Sequence, residues 1–221
     1  MIYQDDKLKY RVFMRFKQWF SVLVLSAVGV FGLATLSHAQ DSLSDPYQQI
    51  ELVTVELLET IASHQADYPV NEKAYFDSLD ALLRDRIDFA FIARNVMGSY
   101  KKTATAEQRA RFAATFRNGL VETYGRGLIG YENQEIVLIK AGKVAEGQRK
   151  LTVKQEIRSS DTVYPLEYSM ARKKTGEWMV VNVVINGINL GKTFRNQFVR
   201  SAQRAGGDID KVIDGWSSEG L

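Results

Sequence analysis

Apolar residues along the chain follow two spacings. From Asp45 to about Tyr131 they recur every three or four positions, and from about Gln134 to Ile185 they recur every second position. The first spacing marks amphipathic helices and the second marks strands. Asp45-Pro46 opens the first helix, as an N-cap followed by a proline at the first helical position. Ile50, Val53, Leu57 and Ile61 form its stripe, and Pro69 breaks it. A second helix is expected from about Glu72 to Arg86, with Tyr75, Phe76, Leu79, Leu82 and Leu83 inward. A short third helix covers "DFAFIARNVMG" and stops near Gly98. Thr105 and Gln108 have the spacing of a capping box and start a fourth helix. Its Phe112, Phe116, Leu120 and Tyr124 fall every four residues on one face.

Period two then takes over. "EIVLIKA", "KLTVKQEIRS", "TVYPLEYSMARK" and the run from Trp178 to Ile185 read as four strands joined by short turns. Pro165 suggests an edge or a bulge in the third. Two helices follow. One has Phe194, Phe198, Ala202 and Ala205 inward and Arg195, Arg200 and Arg204 outward, and the last is capped by Asp208. Helices, a meander, then helices imply an α+β fold. The expectation is a four-stranded antiparallel sheet packed by N-terminal and C-terminal helices around an apolar interior.

The fourth strand is unusual. Met179, Val181, Val183 and Ile185 alternate with Trp178, Val180 and Val184, so both faces are apolar except at Asn182. A sheet with one wet face alternates apolar and polar, so both sides of this strand need cover. Either the protein fills its own core, or part of the apolar wall faces an apolar guest. Periodicity does not separate a pocket wall from a core wall.

The N-terminus changes the charge picture. Lys7, Lys9, Arg11, Arg15 and Lys17 precede the run "WFSVLVLSAVGVFGLATL" and then "SHAQ". This is the layout of a secretory signal peptide. Residues 1–39 are expected to be a leader cut between Ala39 and Gln40, leaving 40–221 as one domain. Either Met1 or Met14 can be the start, and an uncleaved membrane anchor is the other reading of the apolar run. The chain has 29 Lys+Arg and 26 Asp+Glu; the leader holds five and two of these, leaving 24 of each. The mature chain is therefore neutral, with no long basic stripe to suit a phosphate backbone, and nucleic acid is not an expected partner.

Candidate chemistry is sparse. There is no cysteine, which excludes a disulfide framework and cysteine–histidine zinc sites. His38 leaves with the leader, so a Ser-His-Asp triad would have to use His64, which sits at a helix end. "GRGLIG" (Gly125 to Gly130) matches G-x-G-x-x-G, but it closes a helix before a strand, the reverse of the dinucleotide-binding context. Asp85 and Asp88 flank a basic pair at a helix end. An enzyme acting on a small apolar substrate would need a pocket carboxylate and a tyrosine donor. Tyr164 or Tyr168 with Glu167 is the available pair, but alternation puts Glu167 on the opposite face. No catalytic residue, metal site or cofactor is expected.

Three segments together resemble the MlaC/toluene-tolerance family of periplasmic phospholipid carriers: "DFAFIARNVMGSY", "TAEQRARFAATFRNGLVETYGRGLIGY" and "GEWMVVNVVINGINLGKTFRNQF". They look like the family's Phe-Ala-x-x-x-Leu-Gly segment, its Thr-Pro-Glu-Gln-Arg-x-x-Phe helix, and its Trp-x-Val-x-Asp-Val-x-x-Gly-x-Ser segment followed by Arg-x-x-Phe. Ala106 stands where the family usually has Pro, Asn182 where Asp is common, Asn189 where Ser is common, and Tyr100 where the aromatic is often Trp. The resemblance implies a monomeric periplasmic carrier with a deep apolar cavity between sheet and helices. It would hold phospholipid acyl chains and exchange them with an inner-membrane ABC lipid transporter complex and an outer-membrane lipoprotein complex. Resemblance and alternation together give the expected lining. The third helix and its end supply Phe89, Val96 and Met97, and the fourth helix supplies Phe112, Phe116, Leu120 and Tyr124. The strands supply Leu151, Val153 and Ile157, then Leu166 and Tyr168, then Met179, Val181 and Val183. The penultimate helix supplies Phe194 and Phe198.

Overall fold

A computed structural model describes residues 45–217 other than 69, 133, 140 and 141. The expected leader, its cleavage point and the question of an anchor lie outside the described residues. Helices α1 (Pro46–His64), α2 (Glu72–Arg84), α3 (Phe89–Val96) and α4 (Ala106–Leu128) come first, with a 3₁₀ turn at Gly98–Lys102 between the last two. Strands β1 (Glu135–Ile139), β2 (Lys150–Arg158), β3 (Val163–Arg172), β4 (Trp178–Ile185) and β5 (Ile188–Asn189) follow. Helices α5 (Leu190–Arg204) and α6 (Ile209–Asp214) complete the order. Among the described residues no helix is long and apolar enough to cross a membrane.

Local chemistry fixes the helix starts. Asp45 accepts from the Tyr47 amide, Asp88 from Phe91 and Asp208 from Lys211, each satisfying a first-turn N–H that has no partner inside its helix. Thr105 and Gln108 form the reciprocal capping box. Asn189, one of the departures from the family pattern, caps α5 by accepting from the Lys192 amide at 2.9 Å. Helix α2 stops at Arg84, two residues short of the expectation, because the chain turns there to bring the Asp88 amide onto the Val180 carbonyl at 3.0 Å.

The sheet is antiparallel in the order β1-β2-β3-β4-β5, so there are five strands where four were expected. The fifth arises at Asn186-Gly187. Both residues have positive φ, 48° and 80°, which folds β5 back on β4 through a two-residue turn. Asn-Gly favours such turns because both central positions must be left-handed. Pro165 lies in an interior strand, not at an edge. Its carbonyl accepts from the Asn186 amide at 2.9 Å, so its missing N–H faces the flank where β4 has already turned away.

Register corrects the expected faces of β4. Tyr168 pairs with Val183 and Ser169 with Asn182, but Met170 pairs with Val180, leaving Val181 as an extra residue at a bulge. The bulge reverses the alternation. Val183 and Ile185 therefore share a face with Val180 and Trp178, while Met179 shares the other face with Asn182 and Val184. Protein covers both sides near Trp178–Val180. Helix α1 packs on one, with the Gln49 amide donating to the Trp178 carbonyl at 2.7 Å. Helices α3 and α5 cover the other, where Asn182 Oδ1 accepts from the Gly191 amide at 3.0 Å.

Gly125 shows what the "GRGLIG" glycines do. It lies inside α4, which continues to Leu128, and a Cβ there would sit 2.8 Å from Leu79 Cδ1 and 3.0 Å from the Phe76 ring. Helices α2 and α4 cross at this point, and Tyr75 Oη donates to the Gly125 carbonyl at 3.0 Å. Gly125→Val is expected to lower stability by about 1–3 kcal/mol through overpacking, read as a fall in the urea midpoint. An unchanged midpoint would refute the crossing as the reason for glycine.

Candidate functional site: half-buried apolar walls on sheet and helices

Buried apolar residues usually form one contiguous core. Here they form three clusters. The first joins α3, α4, α5 and α6 around Phe112, Phe116, Phe194 and Phe198. The second joins the start of α1 to one end of the sheet through Ile50, Val153, Met170, Trp178 and Val180. The third joins α1, α2 and α4 through Ile61, Tyr75, Leu79 and Val121. Helices α2 and α4 make almost no contact with the sheet, which meets the helices mainly through α1, α3 and α5.

The inner sheet face runs out from the second cluster. Strand register places Ile136 beside Ile157, Leu138 beside Gln155, Val153 beside Tyr168 and Tyr168 beside Val183 on that face. Burial falls along it. Val153, Met170, Trp178 and Val180 are buried under α1, whereas Ile136, Leu138, Ile157, Tyr168, Val183 and Ile185 are half-buried. Beyond them Tyr164 is 43% exposed. The helices show the same gradient. Along the α4 stripe Phe112 and Phe116 are fully buried, while Leu120, Tyr124 and Leu128 are half-buried. Leu57 and Leu58 of α1 are also half-buried, at the rim of the third cluster. The three cores thus leave an apolar wall on the sheet and another on the helices, with half-buried side chains on both.

Few polar groups enter this region. Tyr168 Oη donates to Gln155 Oε1 at 2.9 Å, Gln155 Nε2 donates to Thr54 Oγ1 at 2.9 Å, and Thr54 Oγ1 donates to the Ile50 carbonyl at 2.8 Å. The chain ties α1 to the sheet and satisfies the buried Gln155 amide. Burial pushes the Tyr168 hydroxyl up to about 12, and it does the same to Tyr124, whose hydroxyl is buried without a hydrogen-bond partner. Both therefore stay neutral at physiological pH.

The pair required by the enzyme reading is not assembled. Glu167 lies on the outer face, where its carboxylate meets Lys154 Nζ at 3.0 Å. His64 lies 3.1 Å from Ser78 Oγ and 3.3 Å from Ser63 Oγ, and its ring is not paired with a carboxylate among the described residues. Among the described residues no group of three or more histidines and carboxylates is placed to hold a metal ion.

The expected lining divides. Val96, Met97, Phe112, Phe116, Phe194 and Phe198 are in the first cluster, packed ring against ring, with centroids 4.7 Å apart for Phe112 and Phe198 and 5.3 Å for Phe116 and Phe194. Phe89 is buried at the start of α3, and Met179 is buried on the outer face of β4. Val153 and Leu166 are buried on the inner face. Leu120, Tyr124, Leu151, Ile157, Tyr168 and Val183 occupy the half-buried rims, and Val181 is the bulge residue. Leu57, Leu58, Leu128, Ile136, Leu138 and Ile185 join the rims without having been expected there. One signal for the α1 residues is that Leu52, Val53, Val55, Leu57 and Leu58 put apolar groups on more than one side of that helix.

The model of the family described as MlaC protein matches residues 51–218. This chain belongs to the MlaC family. The toluene tolerance protein ttg2D of Pseudomonas putida is 37% identical over 175 residues, 79% of this chain and 80% of the relative. The intermembrane phospholipid transport system binding protein MlaC of Haemophilus influenzae is 26% identical over 203 residues, 90% of this chain and 92% of the relative. The phospholipid-binding protein from Ralstonia solanacearum, solved in complex with a phospholipid, has the same fold. It superposes with a TM-score of 0.68 at 22% identity, covering 77% of this chain and 93% of that one. The MlaC match begins at Glu51, within α1, and runs through α6, so it includes the half-buried apolar residues of α1, α4 and the sheet.

Proposed function

We propose that this MlaC-family chain is a periplasmic carrier that encloses the acyl chains of a phospholipid and shuttles the lipid between the outer and inner membranes. The observation that carries this reading is the divided interior: three separate apolar clusters, with half-buried apolar side chains left both on the inner sheet face and on α1 and α4. Family membership and the relatives' names point to the same ligand class. Leu57, Leu58, Leu120, Tyr124, Tyr168 and Val183 form the lining, and the aromatic cluster of Phe112, Phe116, Phe194 and Phe198 is the frame that holds the helical wall. No residue is assigned a catalytic role. The exchange partners are an inner-membrane ABC lipid transporter complex and an outer-membrane lipoprotein complex.

The physical need is plain. Each methylene moved into water costs about 0.8 kcal/mol, so one long acyl chain costs on the order of 10 kcal/mol. A lipid crosses an aqueous compartment only if its tails are covered. Organic extraction of the protein as purified from cells, followed by lipid mass spectrometry, is expected to return diacyl phospholipid in fixed proportion to protein. Protein that carries no lipid and cannot be loaded from vesicles would refute the carrier reading.

A further inference from the structure

Charge is unevenly distributed over the described residues. Residues 89–106 contain no Asp or Glu and supply Arg94, Lys101 and Lys102. Residues 178–207 also contain none and supply Lys192, Arg195, Arg200 and Arg204. The fold packs these two stretches together. Arg195 Nε donates to the Asn95 carbonyl at 2.9 Å, the Tyr100 ring lies 6.2 Å from that of Phe198, and a Cβ on Gly98 would lie 3.2 Å from Val199 Cγ2. The result is one cationic face built from α3, the 3₁₀ turn and the outside of α5.

None of these seven cations is in an ion pair among the described residues. Elsewhere pairing is common: Lys73, Arg84, Arg86, Arg111, Arg117, Arg126, Lys154, Arg158 and Lys211 all meet a carboxylate. Along the chain the nearest carboxylates are Asp88 and Glu107 for the first stretch and Glu177 and Asp208 for the second. One large apolar side chain also projects from it. Phe91 on α3 is 38% exposed, and the Arg94 guanidinium lies 5.9 Å from the centre of its ring.

We infer that this face docks the protein onto an anionic phospholipid bilayer. The complementarity is electrostatic: an array of unpaired Lys and Arg meets lipid phosphates, and an exposed aromatic enters the headgroup layer. The cations are long side chains held by few hydrogen bonds, which suits a fluid array of phosphates better than the fixed carboxylates of a folded partner. The face lies on the outer side of β4, away from the inner sheet face, so it is independent of how the lipid cargo is held.

The test is flotation with vesicles of neutral phosphatidylcholine, alone or with about one third phosphatidylglycerol. It uses the protein as isolated from cells, with its mass recording whether the leader is present. Binding is expected to the anionic vesicles at low salt and to be lost near 0.5 M NaCl, where screening shortens the range of the attraction. The variant Lys102→Gln/Lys192→Gln/Arg200→Gln, at exposed positions, is expected to bind on the order of 10-fold more weakly or worse. The control variant Arg149→Gln/Lys173→Gln/Lys174→Gln removes as much charge from the far end of the sheet and is expected to bind like the parent. Failure of the parent to float at low salt, or equal loss in both variants, would overturn the inference. So would binding to an acidic polypeptide without binding to vesicles. Lipid content of the variants separates this outcome from the carrier reading, since it is expected to be unchanged.

Discussion

Phe198→Ala is expected to destabilise the protein by about 3–5 kcal/mol, and by the same amount whether lipid is bound or removed. Phe198 is fully buried, with Phe112 at 4.7 Å, Trp216 at 6.0 Å and Tyr100 at 6.2 Å between ring centres. Edge-on and tilted rings at such separations add to the burial of apolar area. The surrounding helices are tied at several points, for example by Arg111 to Asp210 at 2.6 Å and to Asp214 at 2.8 Å, so the cavity left by truncation would collapse little. Urea unfolding of loaded and delipidated protein measures both costs. A loss confined to the loaded form would place Phe198 against lipid and remove the distinction between frame and lining.

That distinction marks how far the sequence could be read. Helix and strand spacing identified the order of elements, the caps at Asp45, Thr105 and Asp208, and the alternation that separates Tyr168 from Glu167. Each depends on residues close together in the chain. The faces of β4 were misassigned because a bulge is set by pairing with β3, which no pattern within Trp178–Ile185 reveals. β5 was missed although Asn186-Gly187 is a recognisable hairpin signal, because the two-residue strand after it is too short to show a period. The site was harder. Phe116 and Tyr124 lie on one helical stripe with the same spacing, yet one is locked among rings and the other stands at the rim. What separates them is which elements reach each turn of α4: rings of Phe194 and Trp216 close over Phe116, a property of the assembled layers.

The assembly of these layers leads to the last prediction: stripping the lipid is expected to lower the melting temperature by about 5–10 °C. A ligand held at roughly 100 times its dissociation constant stabilises the folded state by about 2.7 kcal/mol, and a domain of this size shifts by about 2–4 °C per kcal/mol. The direction follows from the half-buried rims. Without tails between them, Tyr168 and Val183 on the sheet and Leu120 and Tyr124 on the helix lose apolar neighbours that the protein does not replace. Val183→Trp extends this logic. Indole bulk added at Val183, beside Tyr168 on the inner face, fills space that the proposed lining gives to the tails. The variant is expected to carry on the order of one tenth of the parent's lipid, while its delipidated form melts no lower than the delipidated parent, since burying the larger side chain adds apolar contact. Phe198→Ala should show the opposite pattern, with stability lost in every state. If Val183→Trp unfolds the delipidated protein, the inner face at Val183 is close-packed and the lining belongs elsewhere. If it keeps both its fold and its full lipid load, the tails do not pass between β4 and α4.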